Sequence, residues 1–447
     1  MSEQTTTQNG QEREVWGSRL GFILSTIGMA FGLGAIWRFP YIAAENGGGA
    51  FVLAFTLITL FIVFPASWAE IAFARHIRTS PTAAFRQVLG PKLGKIGWIF
   101  PFVPLGLNMY YLIVVAWTMA YTMMSLTSGS EMLGDSTAFF TAFTSNRIGV
   151  FIWVLITLAI ICFISLKGIQ KGVEKFNKFI IPLHFILLIA LVITVLLLPG
   201  IEKGLTLFAK PDFSMLLEPS LWARALGMAL FAVGLGPGYL MVYGSYLPKK
   251  SDIPMDFFTV GMWNTFGCIL SGLVIIPAVV AFGINLQSGP NLTFVTMPHI
   301  FAQMPFPVVM AFLFFFTMLL GGLGAAVGIL ENSVTTFSDG LGWSRKKTLV
   351  VVAVVTVLGS IPCIWSDAFL AKIDYLVGDL GYTFTAFFSA MVISWIVGIK
   401  KVRTEWLQPG ASVKFGRSFD ILCKYVAVPI MLILLIQSLM NIPKVFF

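Results

Sequence analysis

Eleven apolar runs, each long enough to cross about 30 Å of hydrocarbon at about 1.5 Å per residue, alternate with short polar stretches along the chain. They fall roughly at residues 18–42, 49–74, 97–127, 148–166, 173–198, 220–246, 256–283, 305–336, 348–364, 374–399 and 419–441. Such runs predict membrane-spanning helices, because a backbone in lipid must satisfy its own hydrogen bonds. The polar stretches predict the orientation. Arg75, Arg78, Arg86, Lys92 and Lys95 follow the second run, Lys167 and Lys171 the fourth, and Lys249 and Lys250 the sixth. Arg345, Lys346 and Lys347 follow the eighth, and Lys400, Lys401 and Arg403 the tenth. Every second loop is therefore basic, which places those loops and the N-terminus in the cytoplasm and, with an odd number of spans, the C-terminus outside. Loops between them, such as 128–147 with Glu131 and Asp135, are poorer in Lys and Arg.

Two of the runs are interrupted in the same way. Residues 28–49 read GMAFGLGAIWRFPYIAAENGGG, with a Gly-Leu-Gly break at Gly32–Gly34 and Arg38 one turn beyond it. The sixth run contains FAVGLGPGYL, where Gly234-Leu235-Gly236 repeats that break and Pro237 removes a backbone donor. Glycines in membrane helices also serve close packing, and a lone Gly-Leu-Gly would be read that way. Two matched breaks five spans apart instead predict an inverted repeat, with a ligand site between the breaks near the membrane midplane. The expected division is an N-terminal cytoplasmic segment 1–17, a first repeat 18–198, an extracellular loop 199–219, a second repeat 220–399, and 400–447 as a cytoplasmic loop plus the last span.

Composition narrows the class. With 57% hydrophobic and 11% charged residues, and a mean hydropathy of +0.88, the apolar surface exceeds what one soluble core could bury. The net charge of +9 is spread over loops between apolar runs, so it reads as topology and no nucleic-acid partner is expected. The expected partners are the lipid bilayer and a small-molecule substrate. Cys162, Cys268, Cys363 and Cys423 show no paired spacing and read as packing residues. His76, His184 and His299 lie far apart with no nucleophile motif, so the chain is not expected to be an enzyme. The N-terminus MSEQTTTQNGQERE carries no removable signal peptide by its pattern.

The run RLGFILSTIGMAFGLGAIWRFPYIAAENGGGAF resembles the first-helix signature of the neurotransmitter:sodium symporter family, whose bacterial members carry amino acids on the LeuT fold. KGVEKFNKFIIP, YGSYLPKK, SDGLGWSRKK and IDYLVG extend the resemblance over nearly the whole chain. It implies an all-α integral membrane protein of eleven helices, with a 5+5 inverted repeat and discontinuous helices one and six. By resemblance, Arg38 and Asp374 form an outer charged gate, with Tyr111 and Phe231 as an aromatic lid over the substrate. Arg13, Trp16, Ser245, Tyr246 and Asp339 correspond to an inner gate. The substrate site would comprise Met29, Ala30, Leu33, Gly34, Leu107, Tyr111, Phe231, Ala232, Gly234, Ala325 and Ile329. Its lining is almost wholly apolar. Glycine at position 32, where amine-selective members carry Asp, leaves room for a carboxylate near the Leu33 and Gly34 amides, so the expected substrate is an amino acid or similar zwitterion with an apolar side chain.

The resemblance implies sodium as the coupling ion, and there the chain departs from the pattern. The first ion's side-chain positions are Ala35, Ala232 and Asn264, of which only Asn264 bears oxygen. The second ion's positions are the backbone at Gly28, Ala30, Phe31 and Gly321 together with Gly324 and Ala325, where the family has Thr and Ser. Phe55, Met228 and Cys268 replace the polar groups that hold chloride in animal relatives. Three readings follow: transport without sodium, using protons at Glu70 or Glu331 or facilitated exchange; weak sodium coupling through backbone carbonyls and Asn264; or a ligand-binding sensor that does not transport. Asn177 is expected to face the second ion position and to fill it with hydrogen bonds.

Overall fold

The structure is a computed structural model that describes residues 13–284 and 289–446. Residues 1–12 of the expected N-terminal segment lie outside the described residues. The principal helices are α1 (Arg19–Ala30), α2 (Leu33–Glu45), α3 (Gly49–Ile77), α4 (Ile99–Thr127), α5 (Arg147–Leu166), α6 (Ile169–Leu196) and α7 (Pro219–Val233). They continue as α8 (Tyr239–Ser245), α9 (Ile253–Ala281), α10 (Pro307–Leu341), α11 (Arg345–Trp365), α12 (Asp367–Leu407) and α13 (Arg417–Pro443). Among the described residues nine helices are long and apolar enough to cross a membrane, or ten when the bent pair α1 and α2 counts as one span. Eleven runs were expected. The missing one is the sixth, because its break leaves α7 with 15 residues and α8 with 7, each too short to cross alone.

Both breaks follow from their glycines. The Ser18 hydroxyl accepts from the Gly21 amide at 2.9 Å and starts α1, which runs until the backbone at Gly32 becomes extended. There the Gly32 N–H donates to the Ala30 carbonyl rather than to Gly28, and α2 leaves at 54° to α1. In the second break Gly234 and Gly236 take φ of +73° and +137°, a region where any side chain would be strained. The Leu235 N–H closes α7 by reaching back to the Leu230 carbonyl. Asn332 on α10 donates from Nδ2 to the Pro237 carbonyl at 3.0 Å, holding an oxygen that the break would otherwise leave bare.

A glycine face on α10 brings the other helices close. Leu33 packs on Gly322 and Met29 on Gly328, so a methyl on Gly328 would stand 2.5 Å from the Met29 side chain. Close approach through small residues is how helices associate without a hydrophobic driving force between them. The four cysteines are free, three of them buried.

Candidate functional site

The two breaks meet. The Leu33 N–H, among the first amides of α2, donates to the Tyr111 hydroxyl of α4 at 3.0 Å. Gly32 faces the same hydroxyl and Ala325: a methyl there would stand 2.6 Å from Tyr111 Oη and 2.9 Å from Ala325 Cβ. Phe231, from the last turn of α7, lies on the backbone of Gly34, where a methyl would meet its ring at 2.2 Å. Met29 and Ala30 from α1 press on Gly234 of the opposite break. Leu107, Ala232 and Ile329 are buried, as are Ala35 and Asn264. The positive end of α2, whose first amide is taken by the Tyr111 hydroxyl, therefore faces a small apolar region closed over by Tyr111 and Phe231.

Beyond that lid opens a cavity of about 540 Å³ whose wall includes Gly34, Arg38, Tyr110, Tyr111, Phe231, Asp374 and Asp379. Arg38 sits with its guanidinium carbon 5.8 Å from the centre of the Phe231 ring. Its carboxylate partner is Asp379, at 3.3 Å, and not the expected Asp374. Asp374 instead faces Tyr110. The cause is helical register: residues 374–381 are wound as a π-helix, which brings positions i and i+5 onto one face. Tyr382, its ring 5.8 Å from that of Phe231 and tilted 38° to it, is a further member of the lid that the sequence did not mark.

The opposite end is sealed. Arg13 donates from Nη1 to Asp339 at 2.7 Å and from Nε and Nη2 to the Ser245 hydroxyl at 3.1 and 2.6 Å, while its guanidinium lies 4.8 Å from the Tyr246 ring centre. Asp339 also accepts from the Ser80 amide at 2.8 Å and from Thr79. Trp16 donates from its indole to the Tyr243 carbonyl at 3.0 Å. Burial works against the charge on Arg13, yet the Asp339 carboxylate beside it raises its pKa above the ordinary value, so the guanidinium stays charged. The Ser80 and Thr79 contributions were invisible in the sequence, since they come from a turn between two helices.

The positions expected for ions divide into two cases. Around the first, Asn264 is wholly buried and neither its amide oxygen nor its nitrogen has a hydrogen-bond partner. Around the second, Asn177 of α6 does not fill the space with hydrogen bonds as expected. Its Nδ2 donates to the Val173 carbonyl at 2.9 Å, and its Oδ1, buried, has no partner. Glu331 is engaged by Arg345 through both oxygens, at 2.7 and 2.5 Å, and by Thr335. A carboxylate so paired ties α10 to the start of α11 as a structural anchor. Glu70 accepts from Ser389 at 2.9 Å on one oxygen only.

Comparison with known proteins agrees with this architecture. An uncharacterised sodium-dependent transporter of Haemophilus influenzae is 30% identical over 98% of this chain and 100% of its own length. The sodium- and chloride-dependent taurine transporter of Bos taurus is 26% identical, over 87% of this chain and 72% of its own. Among solved structures, that of MhsT in complex with L-phenylalanine superposes with a TM-score of 0.86 at 29% identity, covering 95% of this chain and 100% of that one. The Haemophilus influenzae and Bos taurus relatives are named as transporters. The family profile described as the sodium:neurotransmitter symporter family matches residues 13–133 and 138–447, nearly end to end. With that extent of match, and with two broken helices meeting at one buried site, the chain belongs to the sodium:neurotransmitter symporter family.

Proposed function

We propose that this multi-pass membrane protein carries an amino acid-like zwitterion with an apolar side chain across the cell membrane by alternating access. The single observation that carries the reading is the junction of the breaks: amides of Leu33 and Gly34 at the positive end of α2, with Tyr111 and Phe231 closing over them. A carboxylate suits those amides, and the apolar Met29, Leu107, Ala325 and Ile329 suit an uncharged side chain. That MhsT was solved with L-phenylalanine supports an amino acid as cargo. In this reading α1 with α2 and α7 with α8 are each one span, which gives eleven, arranged as spans one to five and six to ten in inverted repeats. The N-terminus and the Arg13 end face the cytoplasm, and the Arg38 end faces outside.

Sodium is the ion the family implies, and the residues present fit it unevenly. At the first position Asn264 alone supplies a side-chain oxygen; at the second, the orphaned Asn177 oxygen faces Gly28 and Gly324. When bound, a cation there supplies positive charge at the carbonyl end of α1 and links substrate movement to an ion gradient. The chain's own residues do the rest. Tyr111 orients the Leu33 amide, Phe231 and Tyr382 exclude water, and the Arg13–Asp339 pair holds one end shut while the other admits substrate.

Uptake of a radiolabelled amino-acid mixture into proteoliposomes tests this, with sodium replaced by potassium and with or without a pH gradient. Saturable accumulation of an apolar amino acid is the expected result. Ligand binding without accumulation or exchange would overturn it.

A further inference from the structure

Four carboxyl groups are buried among the described residues, those of Glu70, Glu174, Asp256 and Glu331. Three of them have a cation against them: Lys178 on Glu174, Arg19 on Asp256 and Arg345 on Glu331. Glu70, on α3, has none. Its Oε2 accepts from the Ser389 hydroxyl of α12 at 2.9 Å, and its Oε1 is buried without a partner. The other titratable groups towards it are Tyr382 of α12 and Cys423 of α13, neither of them a source of positive charge. No arginine or lysine bears on it. Arg75, further along α3, is turned to the Ser251, Trp406 and Pro409 carbonyls. A lone carboxylate so placed costs far more than one hydroxyl returns, and an unpaired ionisable group within a membrane span marks a place where something is carried.

The surroundings of Glu70 tie it to the moving parts. It borders a cavity of about 10 Å³, room for about one water, whose wall includes Leu235, Ser394 and Cys423. Leu235 is the middle residue of the second Gly-Leu-Gly break, and α8 begins four residues beyond it. That short helix lies on α3 just past Glu70: a methyl on Gly244 would stand 3.1 Å from Ala74 Cβ and 3.2 Å from the Ile71 carbonyl oxygen. At its far end α8 carries Ser245, which accepts two hydrogen bonds from Arg13. One short segment therefore joins the wall of the cavity to the seal at the Arg13 end. Towards the other end, Tyr382 bears on Glu70 and also lies against the Phe231 ring of the lid.

Resting on the transport reading above, we propose that Glu70 is a proton-binding site that links substrate movement to a proton gradient. The carboxyl holds a proton on Oε1 while the Arg13 end is shut. When α8 swings off α3 to open that end, water enters the cavity and takes the proton, leaving a hydrated carboxylate. One proton is regained from water on the Arg38 side, past Tyr382 and Phe231, before the seal reforms. Each cycle thus moves one proton with one substrate from the Arg38 side to the Arg13 side and restores the carboxyl.

The test uses the full-length chain in proteoliposomes with a pH-sensitive dye trapped inside, without sodium, and with potassium and valinomycin holding the membrane potential at zero. An outside-acid step of one pH unit is expected to drive accumulation from a radiolabelled amino-acid mixture towards a ceiling of about tenfold, the limit for one proton per substrate, while the lumen acidifies. Glu70→Gln is expected to abolish both, yet to exchange labelled for unlabelled amino acid, which needs no net proton movement. Glu70→Asp keeps a protonatable group and is expected to recover part of the acidification. In infrared spectra at neutral pH the band of protonated carboxyl is expected to lose intensity in Glu70→Gln. Acidification that survives in an exchanging Glu70→Gln would overturn the proposal, as would an infrared band unchanged by that substitution. Uptake without acidification, in sodium or without it, would leave the transport reading standing and end this one. A chain that moves no amino acid while the Glu70 band is present would end the transport reading and leave Glu70 as a proton-binding site.

Discussion

The two ends of the site are closed by the same chemistry, an arginine against an aspartate, yet they are built very differently. At the Arg13 end the side chains are 4% and 18% exposed, the ion pair is 2.7 Å, and the two side chains make further hydrogen bonds to Ser245, Ser80 and Thr79. At the Arg38 end the pair is 3.3 Å with both partners more than a third exposed, beside a cavity of about 540 Å³. A desolvated network is strong only while complete, whereas a wet pair contributes little at any time. The difference teaches that the structure is locked at the Arg13 end and merely latched at the Arg38 end, so the site between them is reached more readily from the Arg38 side.

The largest effect that would break this contrast is at the lock. Arg13→Ala leaves Asp339 without its cation, a loss of about 3–5 kcal/mol. Hydrogen exchange is expected to rise sharply across 239–246, and net uptake to fall; unchanged exchange would mean the network closes nothing. Next comes the hydroxyl between the ends. Tyr111→Phe strands the buried Leu33 amide, at a cost of about 1–3 kcal/mol, and substrate binding by equilibrium titration is expected to weaken accordingly. If binding does not change, the carboxylate is held elsewhere. A third test concerns the break itself: Gly234→Ala must adopt a positive φ beside Met29, and a loss of about 1–2 kcal/mol is expected in thermal unfolding. Smallest is the latch. Asp379→Asn is expected to cost about 0–1 kcal/mol and to vanish at high salt. Its effect on closure should nonetheless exceed that of Asp374→Asn, because only Asp379 pairs with Arg38.

What the sequence could and could not convey follows from the same residues. The apolar runs and the paired Gly-Leu-Gly breaks were plain because length and glycine content act locally. The Arg13, Ser245 and Asp339 cluster was named from resemblance, and the fold brings those residues within hydrogen-bonding distance across more than 300 positions of chain. Asp379 was missed because an ordinary helical period puts residues 374 and 378 together, and nothing in IDYLVGDLG announces the wider winding that replaces it. Asn177 was expected to fill the second ion position with hydrogen bonds, and the one bond its side chain makes runs back along its own helix to Val173. Its type reveals an amide; only the coordinates reveal that one half of that amide is tied to Val173 and the other half is idle.

The bond from Asn332 to the Pro237 carbonyl carries a consequence for how the molecule moves. It ties the middle of a broken segment to α10, an unbroken helix of 35 residues. A point fixed in this way tolerates rotation around it and resists displacement past it, as a hinge pin does. Sliding the second broken segment along α10 would therefore have to break this bond and leave the Pro237 carbonyl bare, whereas turning α7 or α8 about that point would not.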